Sequence, residues 1–193
     1  MMNAREVRII GTVGLPGSGK SEAATVAAEL DIPVVTMGDV IRQACRDRGL
    51  NPATDHGKMA KQLRKENGVA AIAEASLPHI EDALTQSETV LVDGIRSDAE
   101  VERFESVFGE AFTLISIEAP FPVRAERLDL RGRDASEAEG GESLDARDER
   151  ELGFGMGEAM EHADIRIENT DSLAAFHTRI RAVLENGEGV DDE

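Results

Sequence analysis

Eight consecutive residues, Gly14-Leu15-Pro16-Gly17-Ser18-Gly19-Lys20-Ser21, set three glycines, a lysine and a hydroxyl at the spacing G-x-x-x-x-G-K-[ST]. The chemistry this combination suits is the holding of a polyphosphate. Glycine reaches backbone conformations closed to other residues and lets the chain come close to a ligand. Successive N–H groups then turn inward on the anion, and a helix starting after the loop adds its positive end. Lys20 reaches the β- and γ-phosphates in this scheme, and the Ser21 hydroxyl sits on Mg²⁺. The pattern predicts a site for a nucleoside triphosphate with Mg²⁺, ATP in the leading reading and GTP left open, contacted by every residue from Gly14 to Ser21.

Such a loop works only when a strand leads into it and a helix leaves it, and both are legible. Val7 to Val13 is a β-branched run, and Ser21 to Leu30 puts Ala23, Val26, Ala27 and Leu30 on one helical face. Beyond Asp31-Ile32-Pro33, Val34 to Thr36 is a second strand. Met37-Gly38-Asp39 is expected as a turn, Val40 to Arg48 as a helix and Gly49 to His56 as a loop. A helix over Gly57 to Glu66 closes at Asn67-Gly68, and another covers Val69 to Leu84, where Pro78 should kink or restart it. Thr89 to Asp93 is a short apolar run of the kind found in central parallel strands. Ser97 caps a helix to Val107 with Glu100 three positions on. Phe112 to Ile117 is a fourth strand, and Phe121 to Leu130 a helix that Arg131-Gly132-Arg133 ends. Asp134 to Ser143 is polar and glycine-containing, the composition of a mobile flap. Leu144 to Leu152 is a highly charged helix, Ile165 to Ile167 an edge strand and Ser172 to Leu184 a last helix.

Strands alternating with helices predict an α/β fold: the three-layer P-loop NTPase architecture with a five-stranded parallel sheet. One domain is expected over 1–186, with an acceptor-binding insertion at about 38–86 and a lid at about 132–152, and a disordered acidic tail at 187–193. Ligands of such sheets lie at the carboxyl ends of the strands. Gly14 to Ser21, Asp39 and Asp93 all fall there.

Composition narrows the partners. Net charge is −18, from 39 acidic against 21 basic residues. A field of that sign disfavours nucleic acid and anionic membranes. Only four of the basic residues are lysine, and with no Trp or Tyr the surface resembles that of proteins adapted to high salt. Cys45 is the single cysteine, so neither a disulfide framework nor a thiolate metal site is available. His56, His79, His162 and His177 are scattered and form no helical ligand pair, which makes them surface residues in expectation. No run is apolar and long enough to span a bilayer, and the first residues lack a signal-peptide core. A cytoplasmic monomer or homodimer acting on a small-molecule phosphate acceptor is expected.

Asp93, closing an apolar strand, stands where an acid can hold Mg²⁺ directly or through water. Asp93-Gly94-Ile95-Arg96 resembles the D-G-x-x-R segment of nucleoside monophosphate kinases, with one residue fewer before the arginine. Met37-Gly38-Asp39-Val40-Ile41-Arg42 is similar to their T-G-D-x-[LI]-R segment. The helix bearing Arg124, Arg127 and Arg131, followed by Gly132-Arg133, resembles the helix entering their lid. Ala163-Asp164-Ile165-Arg166-Ile167-Glu168-Asn169 looks most like the equivalent run of dephospho-coenzyme A kinases. From about Val7 to Leu184 the chain resembles an archaeal family of P-loop proteins similar to both kinase groups.

The resemblance implies roles. Lys20, Asp39, Arg96 and Arg131 become catalytic candidates; Arg127 joins the nucleotide site; Ser21 and Asp93 would hold the metal. Asp39, Arg42 and Arg96 would bind the acceptor, the two arginines gripping its phosphate. Arginine suits this work through fixed charge and bidentate geometry. Arg127, Arg131, Arg147 and Arg150 are lid candidates for clamping the transferring group, although nearby acids such as Glu126, Asp129, Asp148 and Glu149 offer them plain ion pairs. Ser97-Asp98-Ala99-Glu100 lacks the glutamine with which adenylate kinases read an adenine acceptor. Two functions stay open: a kinase acting on a nucleoside monophosphate-like or dephospho-coenzyme A-like acceptor, and a nucleotide-gated regulator that passes no phosphate onward.

Overall fold

The structure, a computed structural model, describes residues 7–132 and 143–187, with side chains described over 7–129 and 143–187. Five strands are described: β1 (Arg8–Val13), β2 (Val34–Thr36), β3 (Thr89–Asp93), β4 (Phe112–Glu118) and β5 (Ile165–Glu168). They form one sheet in the order β2-β3-β1-β4-β5, and every pairing is parallel. Between them run α1 (Lys20–Glu29), α2 (Met37–Asp47), α3 (Pro52–Asn67), α4 (Ala71–Leu84), α5 (Asp98–Phe108), α6 (Phe121–Gly132), α7 (Leu144–Gly153) and α8 (Met156–Glu161), with α9 (Leu173–Asn186) last. The expected α/β three-layer fold and its five parallel strands are what the chain adopts.

Two-residue alternation along the strands sorts the layers. Ile9, Val13, Val90, Val92, Phe112 and Leu114 face a core closed by α2 to α5 and α8. Ile10, Leu91, Ile115 and Ile117 face a second core closed by α1 and α9. Both faces being apolar is why these runs read as continuous rather than alternating. Gly11 is small for a packing reason, since a Cβ there would lie 2.7 Å from Ile95 Cδ1 and 2.9 Å from the Phe112 ring.

Several boundaries differ from expectation. Met37-Gly38-Asp39 is not a turn but the first turn of α2, entered straight from β2 with extended Thr36 as its N-cap. The expected loop to His56 ends early: Asn51 Oδ1 accepts from Ala53 N (3.0 Å) and Pro52 occupies the first helical position, so α3 begins there. Pro78 neither stops nor restarts α4. It and Glu74, whose carbonyl loses a donor, both lie on the exposed face, where water can serve that carbonyl; Ile72, Ala73, Ser76, Leu77 and Ile80 anchor the helix on either side. The short α8 and a single 3₁₀ turn at Gly109–Ala111 were not expected at all. The final helix runs two residues past the expected Leu184, to Asn186, and caps on Gly187; 188–193, most of the expected tail, lie outside the described residues. So does most of the expected flap, 133–142, together with the side chain of Arg131.

Candidate active site

Because the sheet is parallel, the ends of β1, β2 and β3 open on one edge, and the glycine loop leaves β1 there. The loop is shaped by what its glycines avoid. Gly14 has φ 153°, and a Cβ on it would stand 2.4 Å from the Ile117 carbonyl oxygen. Gly19, at φ 121°, is the N-cap of α1; a Cβ there would meet Asn169 Nδ2 at 2.4 Å. No side chain caps α1, which leaves its first N–H groups and its positive end to a ligand. Ser18 N donates to Leu15 O at 3.1 Å, closing the loop on itself.

The loop is gripped from behind. Arg127 donates to Gly17 O (3.3 Å), Ser18 O (3.4 Å) and Asn169 O (2.7 Å), and Asn169 Nδ2 donates to Ser18 O at 2.8 Å. Buried Arg124 donates to Pro16 O at 3.1 Å and forms a bidentate pair with Asp148 of α7, at 2.9 and 2.6 Å. Thus α6 and the end of β5 meet on the loop's carbonyls, and α7 holds Arg124 in place from behind. Ser18 Oγ is buried without a hydrogen-bond partner and borders a cavity of about 280 Å³ with Leu15, Ile117, Pro120, Arg124 and Met160. A partnerless buried hydroxyl, a bare helix start and a ring of glycines fit a polyphosphate.

Lys20 Nζ donates to the Gly14 and Leu15 carbonyls. Burial lowers its pKa from 10.5 to about 8; the charges of Asp93 and Glu151 act against that shift, and those of Arg96 and Arg147 act with it. Those four side chains therefore share the ammonium's electrostatic neighbourhood. Asp93 is steadied by Thr12 Oγ1, which donates to its Oδ1 at 3.3 Å. Ser21 lies exposed at the start of α1. No group of three His, Cys, Asp or Glu suited to a metal exists among the described residues. Mg²⁺ needs none, since it keeps waters and takes phosphate oxygens beside one or two protein ligands.

Arg96 pairs with buried Glu151 of α7, and its backbone N–H donates to Glu100 Oε2 at 2.8 Å. Burial pushes the Glu100 carboxyl above its ordinary range, against the pull of the Arg96 N–H and of Arg64, 3.3 Å away. Glu151 Oε2 has no hydrogen-bond partner, and Arg150 Nη2 stands 3.7 Å from Oε1. On the other flank Arg42 pairs with Asp39 at the start of α2, both side chains largely exposed. His56, expected at the surface, is half-buried, with its Nε2 turned inward.

The structure thus brings together the loop, Asp93, Arg96 and Arg127, and puts Asp39 and Arg42 at the same sheet edge. Arg124, Glu151 and Asn169 carry contacts to which no role was assigned from sequence, and Glu100, expected only beside the Ser97 cap, also accepts from the Arg96 N–H. Asn169 stands in the run resembling dephospho-coenzyme A kinases, so a signal for it existed. For Glu151 none did, as it is one acid in a helix full of them.

A family model described as AAA domain matches residues 13–144. A UPF0200 protein of Halobacterium salinarum is 60% identical over 178 residues, 92% of this chain and 93% of that protein. A shikimate kinase from Aquifex aeolicus aligns at TM-score 0.53 and 18% identity, over 93% of this chain and 97% of that one. A gluconokinase from Sinorhizobium meliloti aligns at TM-score 0.57 and 19% identity, over 94% of each. At such identities the two structures speak for the fold, which is that of P-loop kinases.

Proposed function

The chain belongs to the AAA domain family and to the UPF0200 proteins, and from that footing we propose that it is a Mg²⁺-dependent phosphotransferase. It moves the γ-phosphoryl of ATP to a small phosphorylated metabolite, nucleoside monophosphate-like or dephospho-coenzyme A-like. The observation that carries this reading is the meeting of Lys20, Asp93 and Arg96 in one electrostatic neighbourhood at the mouth of the loop. Phosphoryl transfer is chiefly positioning and charge neutralisation, and these groups supply both.

Residues Gly14 to Ser21 hold the donor's phosphates, with Lys20 turning from the loop's carbonyls to the transferring group. Arg127 steadies the loop beneath the nucleotide. Ser21 and Asp93 would hold a divalent ion, which would supply charge neutralisation for the transferring group. On the opposite side Arg42 and Arg96 face the acceptor, with Asp39 either orienting water or taking a hydroxyl proton. Arg131 completes the set as the proposed clamp on the transferring group. The segment 38–86 forms the acceptor side and 132–152 the lid, from which Asp148 and Glu151 already reach Arg124 and Arg96.

The test is a panel of nucleoside monophosphates and dephospho-coenzyme A, offered with ATP in molar salt and followed by ADP release. An acceptor that accelerates ADP formation and gains a phosphate supports the reading. A specific observation favours a second one: Arg96 and Arg42 are each paired with an acid of the chain. ATP turnover indifferent to every acceptor would favour a nucleotide-gated regulator.

A further inference from the structure

Arg96 is held at both ends by buried acids. Its backbone N–H donates to Glu100 Oε2 at 2.8 Å, and its Nη1 pairs with Glu151 Oε1. Glu151 reaches it from α7. That helix is itself fixed by Asp148, three residues back on the same face, through the bidentate bond to buried Arg124. The two partners differ in exposure: 4% of the Glu151 side chain is open to solvent, against 44% for Arg96. The acid therefore lies on the inner side of the guanidinium, and solvent on the other. Among the described residues the Nε and Nη2 nitrogens of Arg96 have no hydrogen-bond partner. They form one edge of the planar fork, an edge able to take an anion bidentately.

Stability is a poor reason for this acid. A buried ion pair is often no more stable than apolar side chains of the same volume. Glu151 also leaves Oε2 without a hydrogen-bond partner, so its desolvation is only partly offset. Resting on the phosphotransferase reading, in which Arg96 faces the acceptor, we propose that Glu151 is the positioning residue of Arg96. It occupies Nη1 from the protein side and presents the Nε–Nη2 edge to the anionic group of the acceptor. The anion then meets a guanidinium already turned toward it and has no acid to displace. Lys20 feels the charges of both partners, so the pair stands beside the loop's cation. Fixing one long side chain before binding removes an ordering cost equivalent to about twofold to tenfold in affinity.

The experiment compares Glu151→Gln with Glu151→Leu in the full chain. Both remove the same charge at similar volume, and only Gln keeps an oxygen for Nη1; its amide nitrogen replaces the oxygen that had no partner. The probe is inorganic phosphate at constant ionic strength, added with MgADP bound so that the glycine loop is filled. Binding is read from the Arg96 Nε–H resonance, assigned with Arg96→Lys. In the wild type phosphate should shift that resonance. Glu151→Leu should bind phosphate about fivefold more weakly than Glu151→Gln, at equal MgADP affinity. Glu151→Ala, a second truncation, should match Leu. A merely structural acid predicts equal phosphate affinity in Gln and Leu, with any difference confined to melting temperature. That result would overturn the positioning role and leave Arg96 its place in the kinase reading. Tighter binding by Leu than by Gln would overturn it too, since Glu151 would then compete for the arginine. If MgADP binds but phosphate never shifts the Arg96 resonance, Arg96 does not face the acceptor, and that part of the kinase reading falls as well.

Discussion

The donor and acceptor sides of the site are held by different means. Around the glycine loop the contacts are buried or partly buried, join segments far apart in the chain, and end on backbone carbonyls: Arg124 on Pro16, Arg127 on Gly17 and Ser18, Asn169 on Ser18. On the acceptor segment, apart from the Arg96 pair with buried Glu151, Arg42 pairs with Asp39 three residues away and Arg48 with Glu66 at the far end of α2, largely in solvent. Buried, geometrically exact bonds preorganise; exposed ion pairs are worth about 0–1 kcal/mol and exchange readily. The difference implies a fixed donor cradle facing an acceptor side that adjusts.

The largest expected effect comes from Lys20→Ala, which removes the loop's mobile cation. Transfer should fall about a hundredfold to a thousandfold. The melting temperature at pH 7 should not fall, because burial works against this ammonium and lowers its pKa to about 8. The unfolded chain, with Lys20 near 10.5, binds the extra proton between those values, so this group's contribution to stability rises with pH across that window and is unfavourable below it. A folded variant with near wild-type turnover would remove the loop from the chemistry.

Arg124→Met tests whether the donor cradle is as rigid as its bonds suggest. It strands Asp148 in a largely buried site and frees the Pro16 carbonyl, and should cost about 3 kcal/mol in denaturant unfolding. A loss under 1 kcal/mol would put this pair in the same class as the exposed ones.

Salt tests the charged surface as a whole, without mutation. Screening lengths shrink from roughly 30 Å at 0.01 M to about 3 Å at 1 M. With a net charge of −18 the melting temperature should rise across that range. A flat response would end the reading of this surface as adapted to salt.

Asp39→Asn is the smallest change and the sharpest for the acceptor side. The exposed pair with Arg42 is worth under about 1 kcal/mol, so stability should hardly move. With a phosphate as the accepting group no base is needed, and the rate should drop only a few-fold; a general base for a hydroxyl is worth about a hundredfold to ten-thousandfold. We expect the mild outcome. A loss beyond a hundredfold with intact ATP binding would make the acceptor group a hydroxyl.

Most of the sheet was legible because parallel strands advertise themselves as short apolar runs; β2 and β3 begin and end where the residues suggest. The glycine loop was legible because its geometry depends on residue types within eight positions. What was hidden is of two kinds. Met37-Gly38-Asp39 has the composition of a turn, and only the strand before it makes it the head of a helix. That one shift, with the early start of α3 at Pro52, is what lets His56 meet Gly38. Partner choice over distance was the other: Arg96 has many acids to choose from, and Glu151 lies 55 residues on. Periodicity reports which face is buried, not which charge waits there.

The strand order has a consequence for the molecule among its own copies. Among the described residues β2 and β5 each pair on one side, so their outer backbone groups could recruit a strand from a neighbour. Molar salt would sharpen that hazard, since it removes the mutual repulsion that a charge of −18 otherwise provides. Both edges are poor templates. β2 is three residues long and follows Pro33 and Ile32; β5 is four, with Arg166 and Glu168 exposed along it. Protection against strand-to-strand assembly therefore rests on shortness and placement, which no concentration of salt can screen.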